Sequence, residues 1–143
     1  NDPNIINNVT DKIGRQCIVI AVDVKKIDDD YIVFTHGGRT QTDLKAFEWC
    51  LDCQQRGAGE ILLTSMDKDG TKDGFDIEIL SKISNNVNIP VIASGGAGNL
   101  DHLYQAIVKG HADAVLAASI FHFGEYTINQ AKDYLKAKGI LVR

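Results

Sequence analysis

No apolar run in this chain approaches the roughly 18 residues that a membrane span needs, and no signal-peptide pattern opens it. These absences speak against a membrane partner and for a cytoplasmic location. Basic clusters are missing too. The 15 lysines and arginines are scattered among 19 acidic residues, for a net charge of -4, so the footprint that nucleic acid requires is not there. Cysteine is sparse and odd in number, at Cys17, Cys50 and Cys53. The last two form a C-x-x-C on a helical pattern with no second pair and no neighbouring histidine, which reads as packing thiols rather than a redox or metal site. An initial methionine is also lacking. The chain opens Asn1-Asp2-Pro3, as though cut from something longer.

What is present is an ordinary globular composition, 44% hydrophobic and 24% charged, enough for one core and one domain over residues 1–143. Ile5, Ile6, Val9 and Ile13 follow helical spacing after an Asp2-Pro3 start and stop at Gly14. CIVIAVDV (17–24) is apolar nearly throughout, as a strand buried on both sides would be. Residues 25–42 read as a hairpin, with an acidic turn, the run YIVFT and Gly37-Gly38. A helix around Leu44, Phe47 and Leu51 runs to Arg56 and closes at Gly57. There follow the strand EILLTS (60–65), the loop DKDGTKDG (67–74), a helix over 77–83, the strand PVIAS (90–94), a helix over 100–109, the strand DAVLAAS (113–119) and a helix over 128–138. The order is one helix, then four βα units.

Strands alternating with helices predict a parallel sheet covered by helices. The segments RGAGEILLT (56–64) and KGHADAVLAA (109–118) form a weak repeat of one such unit. An open flavodoxin-like sheet and part of a (β/α)8 barrel both fit, and side-chain alternation discriminates between them. On the first strand Ile18, Ile20 and Val22 share one face, while Val19, Ala21 and Asp23 share the other. On the second, Glu60, Leu62 and Thr64 oppose Ile61, Leu63 and Ser65. Polar groups at the two ends of one face suit a barrel lumen, whose mouths collect them. A doubly wound sheet would bury Glu60 under a helix, which is costly without a partner.

Parallel α/β architectures bind ligands at the carboxyl ends of their strands. There stand Asp23 and Lys25, Thr64 with residues 67–71, residues 94–98 and residues 117–119. Gly95, Gly96 and Gly98 carry no Cβ, so their backbone N–H groups can converge on an anion, with the next helix start adding partial positive charge. SGGAG therefore reads as a phosphate cradle. It lacks the lysine and spacing of a P-loop and is no G-x-G-x-x-G. With AAS at the next strand exit, it resembles the two-loop phosphate site after strands seven and eight of many barrels. Asp67, Asp69 and Asp73 sit among glycines, but without EF-hand spacing or its terminal glutamate, so no metal is expected. His122 fits either a ligand contact or core packing. His36, His102 and His111 read as surface residues and Trp49 as packing.

RGAGEILLTSMDKDGTKDGFD, ASGGAG and LAASIFHF together resemble the cyclase family of imidazole glycerol phosphate synthases, (β/α)8 enzymes of histidine biosynthesis. The resemblance covers essentially the whole chain but only the C-terminal half of that barrel, its strands five to eight. It implies that ammonia from a glutaminase partner joins a phosphoribulosyl formimino aminoimidazole carboxamide ribonucleotide, closing an imidazole ring by general acid and base catalysis without a cofactor. One family aspartate ends strand five and matches Asp23; the other belongs to the half with no counterpart here. Asp69 matches the family's carboxylate near the rim. By the same resemblance Lys25, Thr64, Asp69 and His122 position the substrate, while Ser94, Gly95, Gly96, Ala118 and Ser119 hold a terminal phosphate. Glu60, about 13 Å below Thr64 at roughly 3.3 Å per residue, resembles the glutamate of the ammonia gate. A half with two open sheet edges should need an N-terminal half or a second copy of itself, and should be inactive alone. The alternatives are a noncatalytic phosphate-binding half-barrel and a paralogue supplying ammonia for surface-polysaccharide sugars.

Overall fold

The structure, a computed structural model, describes residues 2–143; Asn1 lies outside them. Helix α1 (Asn4–Ile13) and a 3-10 turn (Arg15–Cys17) lead into β1 (Val19–Ile27), β2 (Asp30–Thr35) and β3 (Thr40–Lys45). Then come α2 (Ala46–Arg56), β4 (Glu60–Ser65), α3 (Ile77–Ser84), β5 (Val91–Ser94), α4 (Leu100–Val108), β6 (Ala114–Val115), α5 (Ser119–His122) and α6 (Ile128–Ala137). The strands form one sheet in the order β3-β2-β1-β4-β5-β6. β1, β4, β5 and β6 are parallel, and β2 and β3 extend the sheet antiparallel beyond β1. This is the α/β arrangement of half a (β/α)8 barrel, with the sheet open rather than closed into a ring.

The core lies on one face of the sheet. Val22 and Val24, Ile61 and Leu63, and Val91 and Ala93 all point to it and are buried, because residues two apart on a strand share a face. They pack with Cys50 of α2, Ile79 and Ile83 of α3, and Leu103 and Ala106 of α4. Each valine, leucine or isoleucine among them contributes about 1.5–3 kcal/mol when fully buried. The other face carries Val19, Ala21, Leu62, Ile92 and Ala114 and has no helix over it; Val19 is 48% exposed. The strands are therefore buried on one side only, not on two as their apolar runs predict, because the sheet does not curl round to cover its own inner face. No helix among the described residues is long and apolar enough to cross a membrane.

Four boundaries differ from the expectation. Cys17 belongs to the 3-10 turn, where Ile18 N donates to Arg15 O at 2.9 Å, so β1 begins at Val19. β1 then runs on to Ile27 because β2 pairs with its second half. Leu44 lies in β3 rather than in the following helix: Thr42 Oγ1 donates to Val33 O at 2.7 Å and Lys45 pairs with Ile32, which keeps the segment in the sheet up to Lys45. The predicted strand over 113–119 is a ladder of only Ala114 and Val115, extended by Leu116 N donating to Ala93 O at 2.8 Å. It has a neighbour on one side alone, and beyond it the chain turns into α5.

Candidate functional site

The parallel register brings the strand exits together. Asp23 pairs with Thr64, and Thr64 with Ser94. The three side chains therefore leave the same uncovered face in one row at the carboxyl edge, with Asp23 and Ser94 about 10 Å apart at two strand spacings of roughly 4.8 Å. One row down, Ala21, Leu62, Ile92 and Ala114 make an apolar floor. Glu60, opposite Val19, stands at the far end of that face. Lys25 follows Asp23 on the same face and is exposed. Near the end of β1, Asp67 Oδ2 accepts from Lys26 N at 2.8 Å, which leaves the Asp23 carboxylate out of that contact.

Beside the row, the loop after β4 and the loop after β5 touch backbone to backbone. Gly74 N donates to Gly96 O at 2.8 Å. Gly96 holds φ +103°, and a Cβ on it would lie 2.1 Å from Gly74 O. Gly95 holds φ +90°, and its Cβ would lie 2.8 Å from Ser65 O. Both glycines are thus demanded by conformation and by contact, since only glycine adopts such φ at no steric cost. Asp69, tied by its own N–H to Ser65 O at 2.9 Å, faces Gly95.

These loops and the chain after β6 border a small open cleft lined by Asp69, Lys72, Ser94, Gly95, Gly96, Ala118 and Ser119 among others. Among the described residues, no backbone oxygen accepts from the amides of Gly95, Gly96 or Ser119. Free N–H groups around a concavity are what an anion needs. The cleft thus gathers all five residues expected to hold phosphate, together with Asp69. His122 lies outside its lining; it is exposed on α5, edge-on to Phe123 at 5.0 Å, so the core-packing reading of it does not hold.

Several supporting residues escape sequence reasoning. Ser65, only 3% exposed, donates to Asp76 Oδ2 at 3.0 Å, and Tyr31 Oη donates to Asp76 Oδ1 at 2.9 Å and to Glu78 Oε2 at 3.3 Å. Lys26 Nζ pairs with the same Glu78 oxygen at 2.7 Å. This network clamps the β1–β2 hairpin to the loop that carries Asp69. Burial first, then the hydrogen bond to Asp76, pushes the Tyr31 hydroxyl far above the usual tyrosine range. The bond to Lys26 holds Glu78 below its ordinary value. The position of Asp76 just before α3 suggests a helix cap, yet its carboxylate turns to Ser65 and Tyr31 instead. His102 is likewise no surface residue. It is half-buried, its Nδ1 accepts from Gly98 N at 3.1 Å, and its own N–H donates to Asn99 Oδ1 at 3.0 Å, bracing the glycine loop. The i, i+3 spacing from Asn99 was the available signal.

Cys50 and Cys53 are fully buried, and burial pushes both thiols up to about 12. That is the behaviour of packing residues rather than of nucleophiles.

The fold and the cleft define a parallel α/β half-barrel whose polar side chains and unpaired loop amides collect at the carboxyl ends of its strands. Over residues 1–127 the chain matches the family described as histidine biosynthesis protein, and it belongs to that family. It is 60% identical over its whole length to the imidazole glycerol phosphate synthase subunit HisF of Chlorobaculum parvum, of which it covers 57%. The same-named subunits of Pelodictyon phaeoclathratiforme (59% over the whole chain and 57% of that protein) and Prosthecochloris aestuarii (60% over 99% of the chain and 56% of that protein) are comparably similar. The chain thus spans little more than half the length of the curated relatives it matches.

Proposed function

We propose that this chain is the Asp23-bearing, phosphate-binding half of a cyclase subunit of imidazole glycerol phosphate synthase. In this reading Asp23 exchanges a proton with the substrate, as general acid or base, against a partner carboxylate carried by the other half of the barrel. Lys25, Thr64 and Asp69 orient the phosphoribulosyl formimino aminoimidazole carboxamide ribonucleotide, and His122 meets it only at the rim. Ser94, Gly95, Gly96, Ala118 and Ser119 hold one of its phosphates, and Glu60 stands where ammonia from a glutaminase subunit enters. The apolar floor between Glu60 and Thr64 suits a neutral ammonia molecule better than an ammonium ion.

The observation that carries the reading is the single row of Asp23, Thr64 and Ser94, set next to a cleft ringed by free amides. The test is to mix the chain with a separately produced N-terminal half of a relative, ammonia and the substrate, and to follow substrate consumption. Turnover that appears only in the mixture is expected. Two folded halves that associate and give none overturn the proposal. The uncovered inner face supports a second reading, a noncatalytic half-barrel that binds phosphate and closes against another copy. Phosphate binding without turnover in the same mixture would favour it.

A further inference from the structure

An ion pair ties the loop that lines the glycine-rich cleft to the turn after α5. Lys72 belongs to the loop between β4 and α3, Glu125 to the turn between α5 and α6, and Lys72 Nζ donates to Glu125 Oε1. Lys72 also lines the cleft and is the one cationic side chain to do so among the described residues. Asp69 is the one anionic side chain in the same lining. Without Lys72 the side chains around the cleft would carry a net charge of -1, which opposes an anion; with it they sum to zero.

The backbone of Lys72 is fixed. It holds φ +63°, in the left-handed region that a residue with a Cβ seldom adopts. Its carbonyl oxygen packs against the glycine loop so closely that a Cβ on Gly98 would lie 2.1 Å from it. On either side, Thr71 Oγ1 donates to Lys68 O at 2.8 Å and accepts from Asp73 N at 3.1 Å. Only the four-carbon stem is free to swing. Its partnership is easily exchanged, because the two side chains are 44% and 37% exposed and a pair so open to water contributes little stability. Phosphate offers a larger charge and more acceptor oxygens than one carboxylate, and a lysine ammonium serves it as a point charge.

We propose that Lys72 is a phosphate ligand of this cleft, parked on Glu125 until the anion arrives, so that Glu125 competes with phosphate for the ammonium. The inference rests on the phosphate cradle of the preceding subsection and adds to it a switchable side-chain contact. Anion binding then breaks the bridge from the cleft to the turn after α5 and frees that turn.

The test is a titration of inorganic phosphate into the 143-residue chain, followed by amide chemical shifts and calorimetry, with circular dichroism to confirm that each variant is folded. Lys72→Gln should weaken binding about tenfold, the order of one charge-assisted hydrogen bond, and Lys72→Arg should restore most of it. Glu125→Gln should tighten binding a few-fold, and that gain should vanish when Lys72→Gln is also present, as coupled neighbours require. If the wild type shifts the Gly95, Gly96 and Ser119 amides but Lys72→Gln and Glu125→Gln bind as it does, the cradle stands and the role of Lys72 is refuted. If phosphate leaves those amides unmoved in the wild type, the cradle and this inference fall together.

Discussion

Asp23 on β1 and Ser94 on β5 face the same way from the same edge of the sheet, each opposite Thr64 on the strand between them. A carboxylate and the residue that opens the glycine loop are thereby held two strands apart by backbone hydrogen bonds rather than by flexible loops. In the proposed function that separation lets a proton move at one point of the ligand while a phosphate is held at another. It also makes the two roles separable by mutation.

Asp23→Asn keeps the size of the side chain and removes its basicity. In the reconstituted mixture turnover should fall by at least about 100-fold, the low end of what a general acid or base supplies. Phosphate affinity should not change. Turnover close to wild type would take Asp23 out of the mechanism.

Gly96→Ala places a methyl group 2.1 Å from Gly74 O at a φ of +103°. Either the loops part or the backbone strains, at a cost of roughly 1–3 kcal/mol. We expect a lower urea midpoint together with weaker phosphate binding. A variant with both unchanged would mean that the two loops yield independently of each other.

Tyr31→Phe removes a hydroxyl that donates to Asp76 and Glu78, and should cost about 1–2 kcal/mol at neutral pH. A pH signature accompanies it. The folded hydroxyl titrates above its unfolded value because burial, and then Asp76, disfavour the phenolate. Its contribution is therefore complete below the unfolded value of about 10 and declines as pH rises beyond that, since only the unfolded chain releases the proton. Denaturation midpoints measured between mild and strong alkali should fall less steeply in Tyr31→Phe than in the wild type. Parallel slopes would show that Tyr31 ionises in the folded protein as freely as in the unfolded one.

Cys17 is exposed, whereas Cys50 and Cys53 are buried with thiols pushed up to about 12. A colorimetric disulfide reagent at neutral pH should titrate one thiol in the native chain and all three in denaturant. Rapid reaction of a second thiol under native conditions would contradict the packing of α2 against the sheet.

Much of this architecture is legible residue by residue. The apolar alternation of EILLTS and PVIAS, the stop at Gly57 and the glycines after Ser94 each report a local preference of the backbone, which the chain carries before it folds. Asp23 could be placed at the carboxyl edge of the parallel strands for the same reason, although β1 itself does not end there but runs on to Ile27 beside β2. The misreadings share a cause as well. Leu44 is drawn into β3 by Val33 and Ile32, and β6 is cut short by having one neighbour; neither fact exists until strands pair.

The chain's own periodicity, then, was enough to specify strands with two unlike faces, helices between them and a ligand edge at their carboxyl ends. That the sheet stays open and leaves its inner face bare, and the meetings of Tyr31 with Asp76 across 45 residues and of Lys72 with Glu125 across 53, became known from the folded arrangement. Alternation along a strand is set by the geometry of consecutive peptide units. Contact between distant side chains depends on where the chain returns to the sheet, which no local preference encodes.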